Sequence, residues 1–242
     1  MRFDVLTLFP DMFEAVLGDS IIGRAREKGL VKLNFIQIRD FSQDKHRRVD
    51  DYPYGGGAGM LMMAQPIYDA YESIIQGLAY KPLTIYLSPQ GKVFNQRVAA
   101  ELVKLEHIIL LCGHYEGVDQ RILDEIVDME LSLGDFVLTG GEIPAMAVID
   151  TVCRLVDGVL AGEEAYMGES HFNGLLEYPQ YTRPYTFRGK TVPEVLLSGH
   201  HANIARWKRQ QALLATERKR PDLLASASLT EEDLRFLKER KK

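Results

Sequence analysis

The sequence predicts an α/β protein in which a mostly parallel sheet is followed by a small all-helical C-terminal domain. Two patterns predict this fold class. Through about residue 156, short apolar runs of strand length alternate with helical patterns, and after residue 191 the signals are only helical. Strands that alternate with helices indicate a parallel sheet that is covered by helices on both faces. We therefore expect a sheet domain first and a helical domain second.

The elements follow in chain order. The five predicted strands are residues 3–8, 33–38, 83–87, 108–111 and 126–131. The predicted helices of the first domain are residues 11–17, 20–28, 66–75, 95–105, 118–125 and 142–156. Residues 158–191 are rich in Gly, Glu, Tyr, Pro and Thr without a clear period, which indicates a linker and then an extended arm. The pattern Thr230-Glu-Glu-Asp233 predicts the N-terminus of the last helix.

A reversal of charge supports a division into two domains. Residues 181–220 carry nine Lys or Arg and two Glu, whereas residues 1–180 carry 15 basic and 27 acidic side chains. We predict an α/β domain at residues 1–157, a flexible linker at residues 158–176 and a helical domain at residues 177–242. The basic segment favours a polyanionic partner over the alternative, a solvated helical face.

Composition excludes several classes of protein. The chain is 46% apolar and 26% charged, as expected for a soluble globular protein rather than a disordered one. No apolar run approaches the roughly 20 residues that a membrane-spanning helix needs. Asp4 and Pro10 interrupt the start, so we expect no signal peptide. Cys112 and Cys153 lie in apolar patterns and are predicted to be buried, which fits a reducing cytoplasmic location.

Three predicted strands end in loops of small or turn-forming residues, at 86–91, 111–117 and 131–141. Ligands bind outside the carboxyl ends of parallel strands, so these loops are expected to form one crevice. The last loop contains Gly134, Gly140 and Gly141 and has no Lys or Arg, which suits a weakly charged ligand held by backbone groups. Taken alone, such a loop is more often a tight turn between strand and helix.

Familiar nucleotide motifs fail here. The run Gly55-Gly-Gly-Ala-Gly59 is followed by Met60 and is not preceded by a strand, so it is not a dinucleotide fingerprint. The run Gly189-Lys-Thr191 lacks the upstream glycine of a phosphate-binding loop, since that position is Pro184. The histidines and two cysteines have no metal-ligand spacing, so no metal site is predicted.

Seven segments carry a resemblance that spans the chain in order. They are residues 4–10, 51–60, 87–91, 112–119, 133–142, 181–184 and 197–201. In these segments the sequence resembles the bacterial tRNA (guanine-N1)-methyltransferase family of the SPOUT superfamily. The resemblance implies a deep C-terminal trefoil knot, which periodicity and spacing could not reveal. It also implies S-adenosylmethionine as cofactor, a homodimer with its active site at the subunit interface, and no association with a membrane.

The activity that the resemblance implies is methylation of N1 of the guanosine at position 37 of tRNA, just 3′ of the anticodon, which supports maintenance of the reading frame. Enzymes of the family are reported to respond to Mg²⁺, and the sequence does not indicate where that ion would bind. Two alternatives stay open at this point. One is a SPOUT enzyme that acts on another RNA, and the other is a regulator that binds nucleic acid without catalysis.

The resemblance also implies roles for individual residues. The cofactor residues are Tyr86, Leu87, Ser88, Pro89, Gly113, Tyr115, Glu116, Gly117, Leu133, Gly134, Asp135, Phe136, Val137, Leu138, Gly140, Gly141 and Pro144. Glu169 stands where the family has an aspartate and would take the N1 proton, and Arg154 would stabilise the charge that develops on O6. The expected RNA-binding residues are Lys45, His46, Arg47, Arg183, His200, His201, Arg206, Lys208 and Arg209.

Overall fold

A computed structural model describes residues 1–162, 166 and 168–240 of the chain. They form two compact units, Met1–Ala161 and Gly162–Lys242, and each unit is described by itself. Residues 163–165 and 167 of the predicted linker and residues 241–242 of the predicted helical domain lie outside the described residues.

The first unit contains a five-stranded parallel sheet, which confirms the α/β part of the prediction. The strands of this unit are β1 (Arg2–Thr7), β2 (Lys32–Gln37), β3 (Asp50–Asp51), β4 (Leu61–Met62), β5 (Leu83–Val93), β6 (His107–Cys112) and β7 (Met129–Ser132). The sheet has the order β2-β1-β6-β5-β7, and every neighbouring pair is parallel. The short strands β3 and β4 form a separate antiparallel pair.

Helices cover both faces of the sheet, as the sequence predicts. They are α1 (Pro10–Leu17), α2 (Ser20–Glu27), α3 (Ala64–Ile75), α4 (Gln96–Leu102), α5 (Gln120–Ile126) and α6 (Glu142–Cys153). Apolar residues of α1, α2, α4 and α6 pack in one core cluster, and those of α3 and α5 pack in another. Along β6, Ile108 and Leu110 belong to the first cluster, whereas Ile109 and Leu111 belong to the second. This alternation is what a strand buried on both faces requires.

Some predicted boundaries were wrong. Ile126 is predicted to begin a strand, but it ends α5 and packs in the second cluster, and β7 begins three residues later. Between them lies Asp128, a polar residue that interrupts the apolar pattern. Its carboxylate accepts a hydrogen bond from the Thr84 backbone N–H at 2.9 Å. The predicted helix 142–156 ends at Cys153, where Arg154 is the C-cap residue.

The second unit is mainly helical. Its elements are β8 (Thr186–Phe187), β9 (Lys190–Thr191), α7 (His201–Lys219), α8 (Pro221–Leu224) and α9 (Glu231–Glu239). The predicted N-terminus of the last helix is confirmed, because Thr230 and Asp233 form a reciprocal capping box. The buried core of this unit contains Leu175, Ala212 and Leu213.

Part of the predicted linker packs within this second unit. Leu175 is buried in its core, and the next residue, Leu176, donates its backbone N–H to Thr216 Oγ1 at 2.8 Å. Because Thr216 lies on α7, these contacts fasten the end of the linker to the longest helix of the unit.

Both cysteines lie in the first core cluster. Cys112 and Cys153 are free and fully buried, which confirms the prediction of buried cysteines. Burial raises the pKa of both thiols, that of Cys153 to about 12. In the described part of the chain, no helix is long and apolar enough to cross a membrane.

A buried polar cluster lies where β1 and β6 begin. Asp4 contacts His107 Nε2 and accepts from Asn34 Nδ2 at 2.6 Å, and Arg2 Nε lies 2.8 Å from the same carboxylate. The Tyr80 hydroxyl lies 3.1 Å from His107 Nδ1. Burial lowers the pKa of His107, although the Asp4 carboxylate opposes that shift. The folded state therefore binds a proton on this imidazole less readily than the unfolded state does.

We predict a pH dependence of stability from this cluster. Since the pKa of His107 is lower in the folded chain, its contribution is present above the unfolded value of 6.5 and is lost as the pH falls below it. In urea unfolding of the full chain at pH 7.5 and at pH 5.5, His107→Gln should show a smaller loss of unfolding free energy than the wild type. His46→Gln, at an exposed position, should behave as the wild type. Equal losses in His107→Gln and wild type would contradict the prediction.

Candidate functional site

Three loops lie within or after three adjacent strands of the sheet. The first loop (88–91) interrupts β5, the second loop (113–117) follows β6, and the third loop (133–141) follows β7 and leads into α6. Because β6, β5 and β7 are neighbours in that order, the loops meet at one edge of the sheet. They surround a cavity of about 280 Å³, called here the loop cavity. The structure thus forms the single crevice that the sequence predicts.

The first loop is a segment expelled from the sheet. Leu131 of β7 pairs with both Leu87 and Lys92 of β5, so the four residues between them have no partner in the ladder. Within the loop, Ser88 Oγ accepts a hydrogen bond from the Gln90 backbone N–H at 3.1 Å. Strand β5 therefore continues after the loop, and Ser88, Pro89 and Gln90 of the loop line the cavity.

The second loop is held by β4 and the residue before it. The backbone N–H of Glu116 donates to Met60 O at 3.0 Å, and that of Met62 donates to Gly117 O at 2.9 Å. A β-carbon on Gly59 would collide with the side chain of Glu116. The glycine-rich run at 55–59 therefore ends beside the cavity, although it is not a nucleotide fingerprint.

The third loop approaches the second loop closely. Gly140 forms an isolated antiparallel bridge with His114, and Gly141 donates its backbone N–H to Gly113 O at 2.9 Å. A β-carbon on Gly141 would lie 2.6 Å from Cys112 Cα, which is closer than real β-carbons approach. Position 141 therefore requires glycine for the close approach of two main chains, and α6 begins immediately after it.

Most of the predicted cofactor residues line the loop cavity. They are Tyr86, Leu87, Ser88, Pro89, Gly113, Tyr115, Glu116, Gly117, Leu133, Phe136, Val137, Leu138, Gly140, Gly141 and Pro144. Gly134 and Asp135 do not line it. Instead, the Gly134 backbone N–H and carbonyl both bond Ser132 Oγ, at 3.1 and 3.0 Å, which shapes the turn.

Sequence reasoning missed other residues of the lining. They are Leu61, Gln90, His114, Val118, Gln120, Leu123, Glu130, Leu131, Ser132 and Thr139. Gln90, His114 and Thr139 fall inside the predicted loops, so loop position alone could have identified them. Leu61 lies on the short strand β4, and nothing in its local pattern indicates the cavity.

The charge of the lining is acidic. It contains Glu116 and Glu130 and, among the described residues, neither Lys nor Arg. Burial raises the pKa of Tyr86, and the nearby Glu130 raises it further, so the Tyr86 phenol stays neutral near pH 7. Exposed apolar side chains of Phe136 and Val137 add an open hydrophobic wall. Such a cavity suits a ligand that has both apolar surface and positive charge.

The two residues expected to be catalytic lie outside this lining. Arg154 caps the C-terminal end of α6, where its backbone N–H donates to Asp150 O at 3.2 Å. Glu169 is half-buried in a turn of the second unit, where its backbone N–H donates to Tyr166 O at 3.1 Å.

The expected RNA-binding residues lie in both units. Lys45, His46 and Arg47 are exposed in the first unit, and Arg183, His200, His201 and Arg206 are exposed in the second. The ammonium group of Lys208 lies 4.8 Å from the centre of the Tyr178 ring.

Arg209 has a partner within the second unit. Its guanidinium forms an ion pair with the buried Asp233 at 2.8 Å and also donates to Ser228 O. This contact gives Arg209 a role in holding the start of α9, because Asp233 belongs to the capping box of that helix.

The described residues contain no cluster of three or more His, Cys, Asp or Glu side chains that could hold a metal ion.

Comparisons with known proteins identify relatives of the whole chain. Residues 1–226 match the family model described as tRNA (Guanine-1)-methyltransferase TrmD. A Ruminiclostridium cellulolyticum protein is 63% identical over 92% of this chain and 96% of its own length. A Caldanaerobacter subterraneus protein is 61% identical over 99% of this chain and 98% of its own length, and a Moorella thermoacetica protein is 57% identical over 99% and 96%. Each relative is named tRNA (guanine-N(1)-)-methyltransferase.

The close approach at Gly141 gives a testable prediction. In Gly141→Ala the new methyl group must displace the main chain of Cys112, which should cost roughly 1–3 kcal/mol of unfolding free energy. Thermal unfolding of the full chain should show a midpoint lowered by several degrees. Gly168→Ala is the matched control, since a β-carbon there meets no atom of the described residues within 4 Å. An unchanged midpoint in Gly141→Ala would show that the two loops separate freely.

Proposed function

Because the chain belongs to the tRNA (guanine-1)-methyltransferase family, we propose that it uses S-adenosylmethionine, bound in the loop cavity, to methylate the guanosine at position 37 of tRNA. Methylation of N1 of guanine in tRNA is the activity of this family. The cofactor site and the position in tRNA are the proposed parts. The observation that carries the cofactor site is the convergence of three glycine-containing loops on one acidic, partly apolar cavity.

The residues of the loop cavity fit this methyl donor. When bound, S-adenosylmethionine supplies a methyl group on a positively charged sulfur, which makes the methyl carbon electrophilic. Glu116 and Glu130 favour that positive charge, and the lining offers no basic side chain that would oppose it. At Gly113 a β-carbon would collide with the Tyr86 ring, so the glycine lets the second loop pack against Tyr86, which also lines the cavity.

Glu169 and Arg154 complete the proposed reaction. Glu169 would take the proton from N1 of the guanine, which leaves an N1 lone pair free to accept the methyl group that S-adenosylmethionine would supply. The Arg154 guanidinium stabilises the negative charge that develops on O6. Glu169 is one methylene longer than the aspartate of the family and carries the same acceptor group.

We propose that the active site is formed at the interface of a homodimer. Pro144 lines the loop cavity, and Arg154 lies ten residues further along α6, roughly 15 Å away at 1.5 Å per residue. That separation supports a second copy of the chain as the source of the arginine. Phe9, Met12, Val16 and Ile143 also present exposed apolar side chains on α1, α6 and the residue before α1. Sedimentation of the full chain as a monomer under assay conditions would contradict this proposal.

Binding of tRNA is proposed to involve both units. Lys45, His46 and Arg47 are exposed and are the proposed phosphate contacts of the first unit. Arg183, His200, His201, Arg206, Lys208 and Arg209 are the proposed contacts of the helical unit, with Arg209 acting through the ion pair that holds α9. Each phosphate contact should steepen the salt dependence of binding, so a flat dependence would count against this surface.

Other parts of the family description stay proposals for this chain. Membership of the family supports a deep C-terminal trefoil knot, which an experimental structure with an unthreaded chain would contradict. A response to Mg²⁺ is proposed without a site. Two free, buried cysteines support a cytoplasmic location. A role in maintaining the reading frame is proposed because the modified base would lie beside the anticodon.

The role of Glu169 is the direct test of the proposed chemistry. In Glu169→Gln the base is lost and kcat for labelled methyl transfer to unmodified tRNA should fall by about 10²–10⁴-fold. The affinity for S-adenosylmethionine should stay the same, and Glu169→Asp should keep most of the activity. Glu194→Gln, which changes another acid of the helical unit, serves as the control. Wild-type kcat in Glu169→Gln would exclude this residue as the base.

A further inference from the structure

We propose that Glu142 is a positioning residue for the methyl donor, because its buried carboxylate holds the second loop in the shape that lines the loop cavity. The inference rests on the proposed cofactor site and concerns a residue that does not itself line the loop cavity. Glu142 is the first residue of α6 and is 2% exposed.

Both carboxylate oxygens of Glu142 have partners on other elements. Oε1 accepts a hydrogen bond from Thr7 Oγ1 at 2.7 Å, and Oε2 lies 2.8 Å from His114 Nε2. Thr7 is the last residue of β1, and His114 belongs to the second loop. A single buried carboxylate therefore joins the end of β1, the second loop and the start of α6.

The bond to His114 acts on the cavity itself. His114 lines the loop cavity between Gly113 and Tyr115, which also line it. Its backbone bridges Gly140, so the same residue connects the second and third loops. Since an ionised carboxylate only accepts, Nε2 is the nitrogen that donates, and this bond fixes the plane of the imidazole. The Phe9 ring lies 4.9 Å from the imidazole and restricts it further.

The energy of these contacts is large enough to matter for ligand binding. Hydrogen bonds with an ionised partner are stronger than neutral ones, and a buried donor that loses its partner retains its full desolvation cost. In Glu142→Gln the amide keeps one accepting oxygen, so either the Thr7 hydroxyl or the His114 N–H needs a new partner. The Thr7 oxygen accepts from the Phe9 backbone N–H at 3.0 Å, so its proton is the part that depends on Glu142. The second loop would then leave the conformation that the methyl donor requires.

The test measures cofactor affinity and turnover in the full-length protein. Isothermal titration calorimetry with S-adenosylmethionine gives Kd, and methyl transfer to tRNA gives KM for the cofactor and kcat at saturation. For Glu142→Gln we expect Kd and KM to rise about tenfold, with kcat changed less than about threefold. Thr7→Val, which removes one donor, should shift Kd in the same direction by less. Glu231→Gln is the matched control, because Glu231 is the exposed first residue of α9.

The outcomes separate this inference from the proposed function. No binding of S-adenosylmethionine by the wild type would overturn the cofactor site itself. Binding by the wild type and by Glu142→Gln with Kd values within about twofold would overturn the inference alone, as would a loss confined to kcat. If Glu142→Gln does not fold, Thr7→Val decides by the same criterion, because Thr7 does not line the loop cavity. When Glu142→Gln and His114→Gln both fold, the double variant should bind S-adenosylmethionine no more weakly than the weaker-binding single variant, because both changes break the same contact.

Discussion

The main chain at Gly141 lies against the main chain at Cys112 and Gly113, closer than a residue with a β-carbon permits. This approach brings the third loop onto the end of β6 and fixes where α6 begins. The loop cavity exists because the first loop, expelled from β5, meets that pair of loops from the neighbouring strand. The parallel order of β6, β5 and β7 makes the three loops neighbours, and the glycine contact brings two of them together.

Charge is distributed differently in the two units, and each distribution fits a different ligand. The loop cavity has two glutamates and an apolar wall, which suit a small cation with an apolar body. Residues 181–220 carry nine basic side chains, which suit a polyanion. A methyl donor with a positive sulfur and a tRNA with a phosphate backbone are such a pair. The reaction then needs a general base and a guanidinium near the target guanine, the roles proposed for Glu169 and Arg154.

Much of the fold and of the cavity could be predicted from the sequence, because apolar runs mark the strands and glycine-containing loops follow them. The prediction that a strand begins at Ile126 was wrong, because that residue belongs to the apolar face of α5. The contact between Thr7 and Glu142 could not be predicted, since 135 positions separate them and no local pattern connects them. In the sequence Arg209 is one of several basic residues in a run, and its ion pair with Asp233 is visible only in the folded structure. Local chemistry predicts elements and loops, whereas long-range polar contacts depend on the completed fold.

The most direct measurement is transfer of labelled methyl from S-adenosylmethionine to an unmodified tRNA with guanosine at position 37, beside the same tRNA with adenosine there. The account predicts methylation of the first tRNA alone, with the label on N1 of that guanosine. Equal labelling of both tRNAs would contradict the proposed position. Absence of labelling in either tRNA, while the protein still binds S-adenosylmethionine, would contradict the proposed reaction at position 37.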